Sequence, residues 1–165
     1  MLNNSTKIIS DLNSFLSSLD RKNKMIVFTN GCFDLLHEGH LHLLKKAKKL
    51  GDILIVAVND DASAKQLKGE TRPIENIETR LKNISVLKEV DYIISFSAET
   101  PIHLIEKIKP TILVKGSDYK KEDIVGNDIA EQVVIVTLLE GFSTTTIIAS
   151  VKSNAPSAET EDTTA

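Results

Sequence analysis

The sequence predicts an α/β protein: a Rossmann-like, doubly wound parallel sheet of five strands flanked by helices, in a single domain. Three observations carry this. Short apolar runs rich in Val and Ile alternate five times with segments whose apolar residues recur at helical spacing. One run, Asp52 to Val58, is almost continuously apolar, the pattern of a strand covered on both faces. A chain of 165 residues is also the right size for one domain with one core.

In chain order, Asn3-Asn4-Ser5 reads as a helix cap, and Ile8, Ile9, Leu12, Phe15, Leu16 and Leu19 form a stripe at helical spacing. Residues 1–24 are thus a helix and a charged connector, with an apolar face to dock on its own domain or on a second copy in a homodimer. Met25 to Asn30 reads as the first strand and stops at the turn signal Asn30-Gly31. The segment from His40 to Leu50 reads as helix from its apolar residues Leu41, Leu44, Ala47 and Leu50. Asp60 is placed to cap a short helix running through Leu67. A polar loop, Lys68 to Pro73, leads to a helix beginning near Asn76 that carries Ile77, Leu81, Ile84 and Leu87. Tyr92–Phe96, Thr111–Val114 and Gln132–Leu139 read as strands, Ile102–Ile108 as helix, and Asp123–Ala130 as a weaker helix. A last helix is expected from Ser143, and residues 152–165 carry too little apolar surface to fold, so a disordered tail is expected.

Composition narrows the function. No apolar run is long enough to span a membrane, and the amino terminus lacks the order of a secretory signal, so the protein is expected to be cytoplasmic with no membrane partner. A single cysteine excludes an internal disulfide. A net charge of −3 and an aromatic content of 4% argue against a nucleic-acid partner. The expected ligand is small.

The stretch from Met25 to Leu50 puts two histidines, His37 and His40, at the mouth of a helix that follows the carboxyl end of a strand, where open α/β sheets bind ligands. Gly31 is suited to positive φ and a close approach to an anion, Gly39 removes a side chain between the histidines, and the free amides of the helix start suit phosphate. No P-loop motif and no Gly-x-Gly-x-x-Gly fingerprint is present. His37-Glu38-Gly39-His40 is one residue short of the zinc-protease spacing, and a zinc site on His37, His40 and His42 finds no evident carboxylate or cysteine to complete it. Two histidines around a glycine at a strand-to-helix turn favour a phosphate-handling role over simple helix capping.

Thr29-Asn30-Gly31-Cys32-Phe33-Asp34-Leu35-Leu36-His37-Glu38-Gly39-His40 resembles the signature of the His-x-Gly-His nucleotidyltransferase superfamily, which includes the cytidylyltransferases. With Ala57–Ser63, Leu67–Pro73, Val114–Tyr119 and Gly141–Ile148 in order, it is most similar to the adenylyltransferase branch that makes ADP-heptose for the lipopolysaccharide core. The match runs over residues 25–151, taken as the nucleotidyltransferase domain.

The resemblance implies attack of a sugar 1-phosphate on the α-phosphorus of ATP, with Mg²⁺ carried on the triphosphate. It implies catalytic roles for His37, His40 and Lys115. Nucleotide contacts would come from Thr29, Asn30, Gly31, Cys32, Phe33, Gly39, Gly116, Asp118, Ser143, Thr144 and Thr145. Cys32 has no apparent base beside it and reads as a small packing residue. Lys68 and Arg72 read equally as a solvated basic loop or as phosphate ligands, and the resemblance favours the ligands. Arg80 shares a stripe with Ile77, Leu81 and Ile84, so its head is expected inside the domain, against a phosphate or a structural carboxylate. Asn59, at a strand end, is the remaining substrate-side candidate.

Cytidylyltransferases usually carry a lysine where His42 stands and an arginine where Leu138 stands, so both positions lean away from CTP. The Gly126–Val133 stretch is shorter than in the heptose branch and lacks its Gly-Gly turn, which leaves the sugar open. Bifunctional relatives carry a sugar kinase domain ahead of this one. This sequence has no room for it, so a separate kinase is the expected source of the sugar 1-phosphate.

Overall fold

The β-branched runs form strands because each is covered on both faces. In the computed structural model, which describes residues 7–141, β1 (Ile26–Gly31), β2 (Ile53–Asn59), β3 (Tyr92–Phe96), β4 (Ile112–Gly116) and β5 (Gln132–Val136) make one sheet in the order β3-β2-β1-β4-β5. Every pairing is parallel. Successive strand residues alternate between two cores. Val27, Leu54, Val56, Val58, Ile93, Ile112 and Val114 face α2 (Glu38–Lys48) and α4 (Ile77–Ser85), through Leu44, Ala47 and Ile84. Ile26, Phe28, Ile55, Ala57, Ile94 and Leu113 face α5 (Ile102–Ile108) and α1 (Leu12–Ser18), whose Phe15 meets Tyr92 edge-on at 4.7 Å. A short helix, α3 (Asp61–Lys68), is capped by Asp60, as its sequence predicts, and Asn76 caps α4.

The chain adds β2 and then β3 on one side of β1, and β4 and then β5 on the other. The reversal falls between β1 and β4, so their carboxyl ends open a crevice there, the usual ligand site of such sheets. No helix among the described residues is long and apolar enough to cross a membrane.

Four expectations are corrected. The amino-terminal stripe is not one helix. Ile8 and Ile9 run extended beside β3, with Ile9 N–H donating to the Ile93 carbonyl at 2.8 Å, because β-branched residues suit an open sheet edge. Asp11 caps α1, accepting from the amides of Asn13 and Ser14, whereas Asn3-Asn4-Ser5 lie outside the described residues. Asp123–Ala130 is not a helix. A single 3₁₀ turn at Lys121–Asp123 gives way to turns around Gly126, whose φ of +84° breaks the periodicity. The fourth strand begins at Ile112, since Thr111 spends its hydroxyl on the Ile26 amide, and the fifth ends at Val136. The predicted helix from Ser143 and the 152–165 tail fall outside the described residues.

Gly51 closes the turn between α2 and β2. A Cβ there would stand 2.8 Å from the Met25 carbonyl oxygen and 2.7 Å from Val27 Cγ2. Backbone cannot yield as a flexible side chain can, so Gly51→Ala is expected to cost about 1–3 kcal/mol in urea unfolding. An unchanged midpoint would show that the turn relaxes freely.

Candidate active site

The connection from β1 to α2 bends sharply, and the bends fall on residues with side chains. Phe33 (φ 49°) and Leu35 (φ 51°) are left-handed, a conformation that persists where packing over-determines it. Phe33 is buried and its ring lies 5.3 Å from that of His40. Gly31 keeps ordinary β-strand geometry, so positive φ is not its role. Its missing side chain makes room for Phe33, whose ring would stand 3.2 Å from a Cβ.

His37 is the N-cap of α2. Its Nδ1 accepts from the Gly39 amide at 3.1 Å, and His40 Nδ1 accepts from the His37 amide at 3.3 Å. The two rings stack with centroids 3.8 Å apart. A ring nitrogen that accepts carries no proton, so each neutral ring holds its proton on Nε2. Burial lowers the pKa of His37, and burial with the neighbouring His37 presses His40 down to about 3. Two fixed N–H donors therefore stand together at the crevice. Part of the expected anion cradle is used internally, since the Gly39 amide already has a partner.

A cavity of about 520 Å³ opens at the reversal point. It brings together Asn30, Gly31, Cys32, Phe33, His37, Gly39, His40, Asn59, Lys68, Arg72, Lys115, Gly116 and Asp118 of the predicted set. Lys115, at the end of β4, donates to the Asn30 carbonyl at 3.0 Å and lies 4.7 Å from the Tyr119 ring centroid. Burial holds its pKa at about 8, with Asp118 acting in the opposite sense. Lys68 makes no hydrogen bond or ion pair among the described residues. Burial pushes the Cys32 thiol up, and its nearest polar partner is Asn59 Oδ1 at 3.9 Å, the setting of a wall residue and not a nucleophile.

Two predicted residues stand elsewhere. Thr29 is buried beneath the cavity and donates its hydroxyl to the Val114 carbonyl at 2.9 Å, tying β1 to β4. Arg80 is 0% exposed and does not line the cavity. It donates through Nε to the Glu75 carbonyl, through Nη1 to those of Cys32 and Asn59, and through Nη2 to Asp61 Oδ1, all within 2.9 Å. Of its two expected partners, the structural carboxylate is the one present. Ser143, Thr144 and Thr145 lie outside the described residues. His42 turns away from the pair, with Nε2 3.1 Å from the Thr137 carbonyl.

Sequence reasoning missed Asp34, Glu99, Thr100, Pro101, Tyr119 and Leu138, all of which line the cavity. Asp34 is 2% exposed and accepts from Arg72 Nε at 3.0 Å, the Ile74 amide at 2.8 Å and the Glu75 amide at 3.0 Å. Burial alone would raise its pKa, but the Glu75 and Ile74 amides and Arg72 hold the carboxyl below its ordinary value. Its place inside the motif was the available signal.

Residues 28–153 match a family described as cytidylyltransferase-like. The bifunctional protein HldE of Helicobacter hepaticus is 50% identical over 147 residues, 89% of this chain and 30% of the relative. That of Campylobacter concisus is 49% identical over 146 residues, 88% and 30% respectively. The chain thus spans about 30% of the length of these curated relatives. The crystal structure of a lipopolysaccharide core biosynthesis protein from Thermoplasma volcanium superposes with a TM-score of 0.63 at 33% identity, covering 72% of this chain and all of that one. A pantoate–β-alanine ligase from Francisella tularensis shares the fold at 19% identity and a TM-score of 0.59, over 88% of this chain and 76% of that one. With the paired histidines at the switch point of a five-stranded parallel sheet, these matches place the chain in the cytidylyltransferase-like family of nucleotidyltransferases.

Proposed function

We propose that this chain transfers AMP from ATP to D-glycero-β-D-manno-heptose 1-phosphate, giving ADP-heptose and pyrophosphate for the lipopolysaccharide core. The observation that carries the reading is the stacked pair of neutral Nε2–H histidines lining the same cavity as Lys115. The similarity to HldE proteins and to a lipopolysaccharide core protein supports the choice of acceptor.

An acceptor phosphate oxygen, already ionised, attacks the α-phosphorus in line. The new P–O bond forms as the bond to the β-phosphate breaks, and the electron pair leaves on pyrophosphate. No proton need be removed from the nucleophile, so catalysis consists of positioning and charge stabilisation. His37 and His40 donate to phosphoryl oxygens, and Lys115 offsets the charge of the triphosphate. Asn30 to Phe33, Gly39, Gly116 and Asp118 line the nucleotide side. Lys68, Arg72 and Asn59 serve the acceptor. Ser143 to Thr145 complete the triphosphate contacts. Mg²⁺ enters as part of MgATP, a hard cation held mostly by phosphate oxygens and water.

Pyrophosphate release measured over a matrix of nucleoside triphosphates and phosphorylated acceptors is expected to peak with ATP and heptose 1-phosphate. Turnover confined to CTP and glycerol 3-phosphate would overturn the reading. His40→Ala is expected to lower kcat by about 10²–10³-fold, the usual loss for one transition-state donor, and to cost about 1 kcal/mol through the lost hydrogen bond to the His37 amide. An unchanged kcat would remove His40 from the chemistry.

Lys115 must be cationic to receive the triphosphate, and in the free protein it titrates at about 8. Since deprotonation removes the charge as pH rises, kcat/KM for ATP is expected to fall above that value. Lys115→Arg keeps its charge throughout this range and should move the limb to higher pH. A pH profile left in place by that substitution would assign the limb to another group.

A further inference from the structure

We infer that Asp34 is a positioning residue, one that aims the guanidinium of Arg72 at the phosphate of the acceptor. The inference rests on the proposed function for the identity of that acceptor. Asp34 accepts from Arg72 Nε at 3.0 Å. Arginine–carboxylate pairs are frequently two-pronged, which draws a terminal nitrogen into the contact. Here the terminal nitrogens make no hydrogen bond among the described residues, and the arginine lines the cavity with its side chain only 11% exposed. A nearly buried, directed fork is the group that binds a phosphate monoester with fixed geometry.

The same carboxylate also fixes the backbone that carries the fork. It accepts from the amides of Ile74 and Glu75, and the Glu75 carbonyl is in turn held by Arg80 at 2.9 Å. Upstream, the segment starts at Gly69, which has φ +109° and nothing within 4 Å of where its Cβ would be. The segment is anchored at its far end by Asp34 and Arg80, while at its near end the Gly69 amide donates to the Lys65 carbonyl at 2.8 Å and the Arg72 amide donates to the Gly69 carbonyl at 3.1 Å. Removing Asp34 leaves the Arg72 backbone in its turn but takes away the one partner that aims the side chain among the described residues.

Charge and geometry predict opposite signs here, which makes the inference testable. Asp34→Asn removes a negative charge from the wall, so Coulomb attraction alone would tighten phosphate binding. Positioning predicts the reverse: KM for heptose 1-phosphate rises about ten- to a hundredfold, while KM for ATP stays within about threefold. Arg72→Lys, which keeps the charge and loses the fork, should raise the acceptor KM similarly, and it serves if Asp34→Asn does not fold. In the Arg72→Ala background, Asp34→Asn should add nothing further, since it acts through that arginine. A lower acceptor KM, equal rises for both substrates, or additive effects in the double variant would each overturn the inference. Titration calorimetry with inorganic phosphate separates this outcome from a wrong acceptor. If the intact chain turns over no heptose 1-phosphate, weaker phosphate binding by Asp34→Asn still supports the role, and unchanged or tighter binding refutes it.

Discussion

The buried guanidinium of Arg80 is the contact on which the arrangement of the crevice depends. A charge taken fully out of water must be met by hydrogen-bond partners, and Arg80 finds them at the carboxyl ends of β1 and β2, at the start of α3 and just before α4. Parallel strands end in carbonyls that no neighbouring strand can satisfy. One planar side chain accepts several of these demands together and joins four segments that differ widely in sequence. The loop bearing Phe33 and the histidines starts one residue beyond a carbonyl that Arg80 holds. Its left-handed backbone is tolerable because both ends are fixed.

Charge is distributed in the crevice by a simple division. Where geometry must be fixed, the groups are neutral or paired: two neutral histidines locked by amides, and Arg72 against Asp34. Where attraction is needed, lysines contribute it, with Lys68 at the end of α3 and Lys115 at the end of β4. In the proposed reaction, fixed dipoles cost little reorganisation as charge moves between phosphates, and the two lysines meet the charge of the ligand.

Most of the fold was legible because periodicity alone encodes it. Strand alternation separates the two cores, and the Ile77–Ile84 stripe placed the Arg80 head inside the domain. What that head would meet was not legible, because carbonyls at strand ends leave no mark in sequence and are supplied by segments up to 48 positions away. The turns after Lys121 were misread because short apolar spacing mimics a helix until a glycine with positive φ interrupts it. Left-handed Phe33 and Leu35 were equally unreadable, since such positions are normally signalled by glycine and here the strain is carried by packing. In the site, the histidines stood out by spacing. Asp34 did not, because an aspartate in a loop looks like any turn former until its partners Arg72, Ile74 and Glu75 are seen.

The histidine cap has a consequence for how this protein would fail. The same Nδ1 atoms that close the first turn of α2 fix the proton on the opposite ring nitrogens. Fraying of one helical turn, a far smaller event than global unfolding, would release both rings to the other tautomer and to free rotation. On the proposed roles of His37 and His40, catalytic competence is tied to the local stability of a single turn of backbone. The enzyme would fall silent under mild stress with its sheet still intact, and would recover as soon as that turn re-formed.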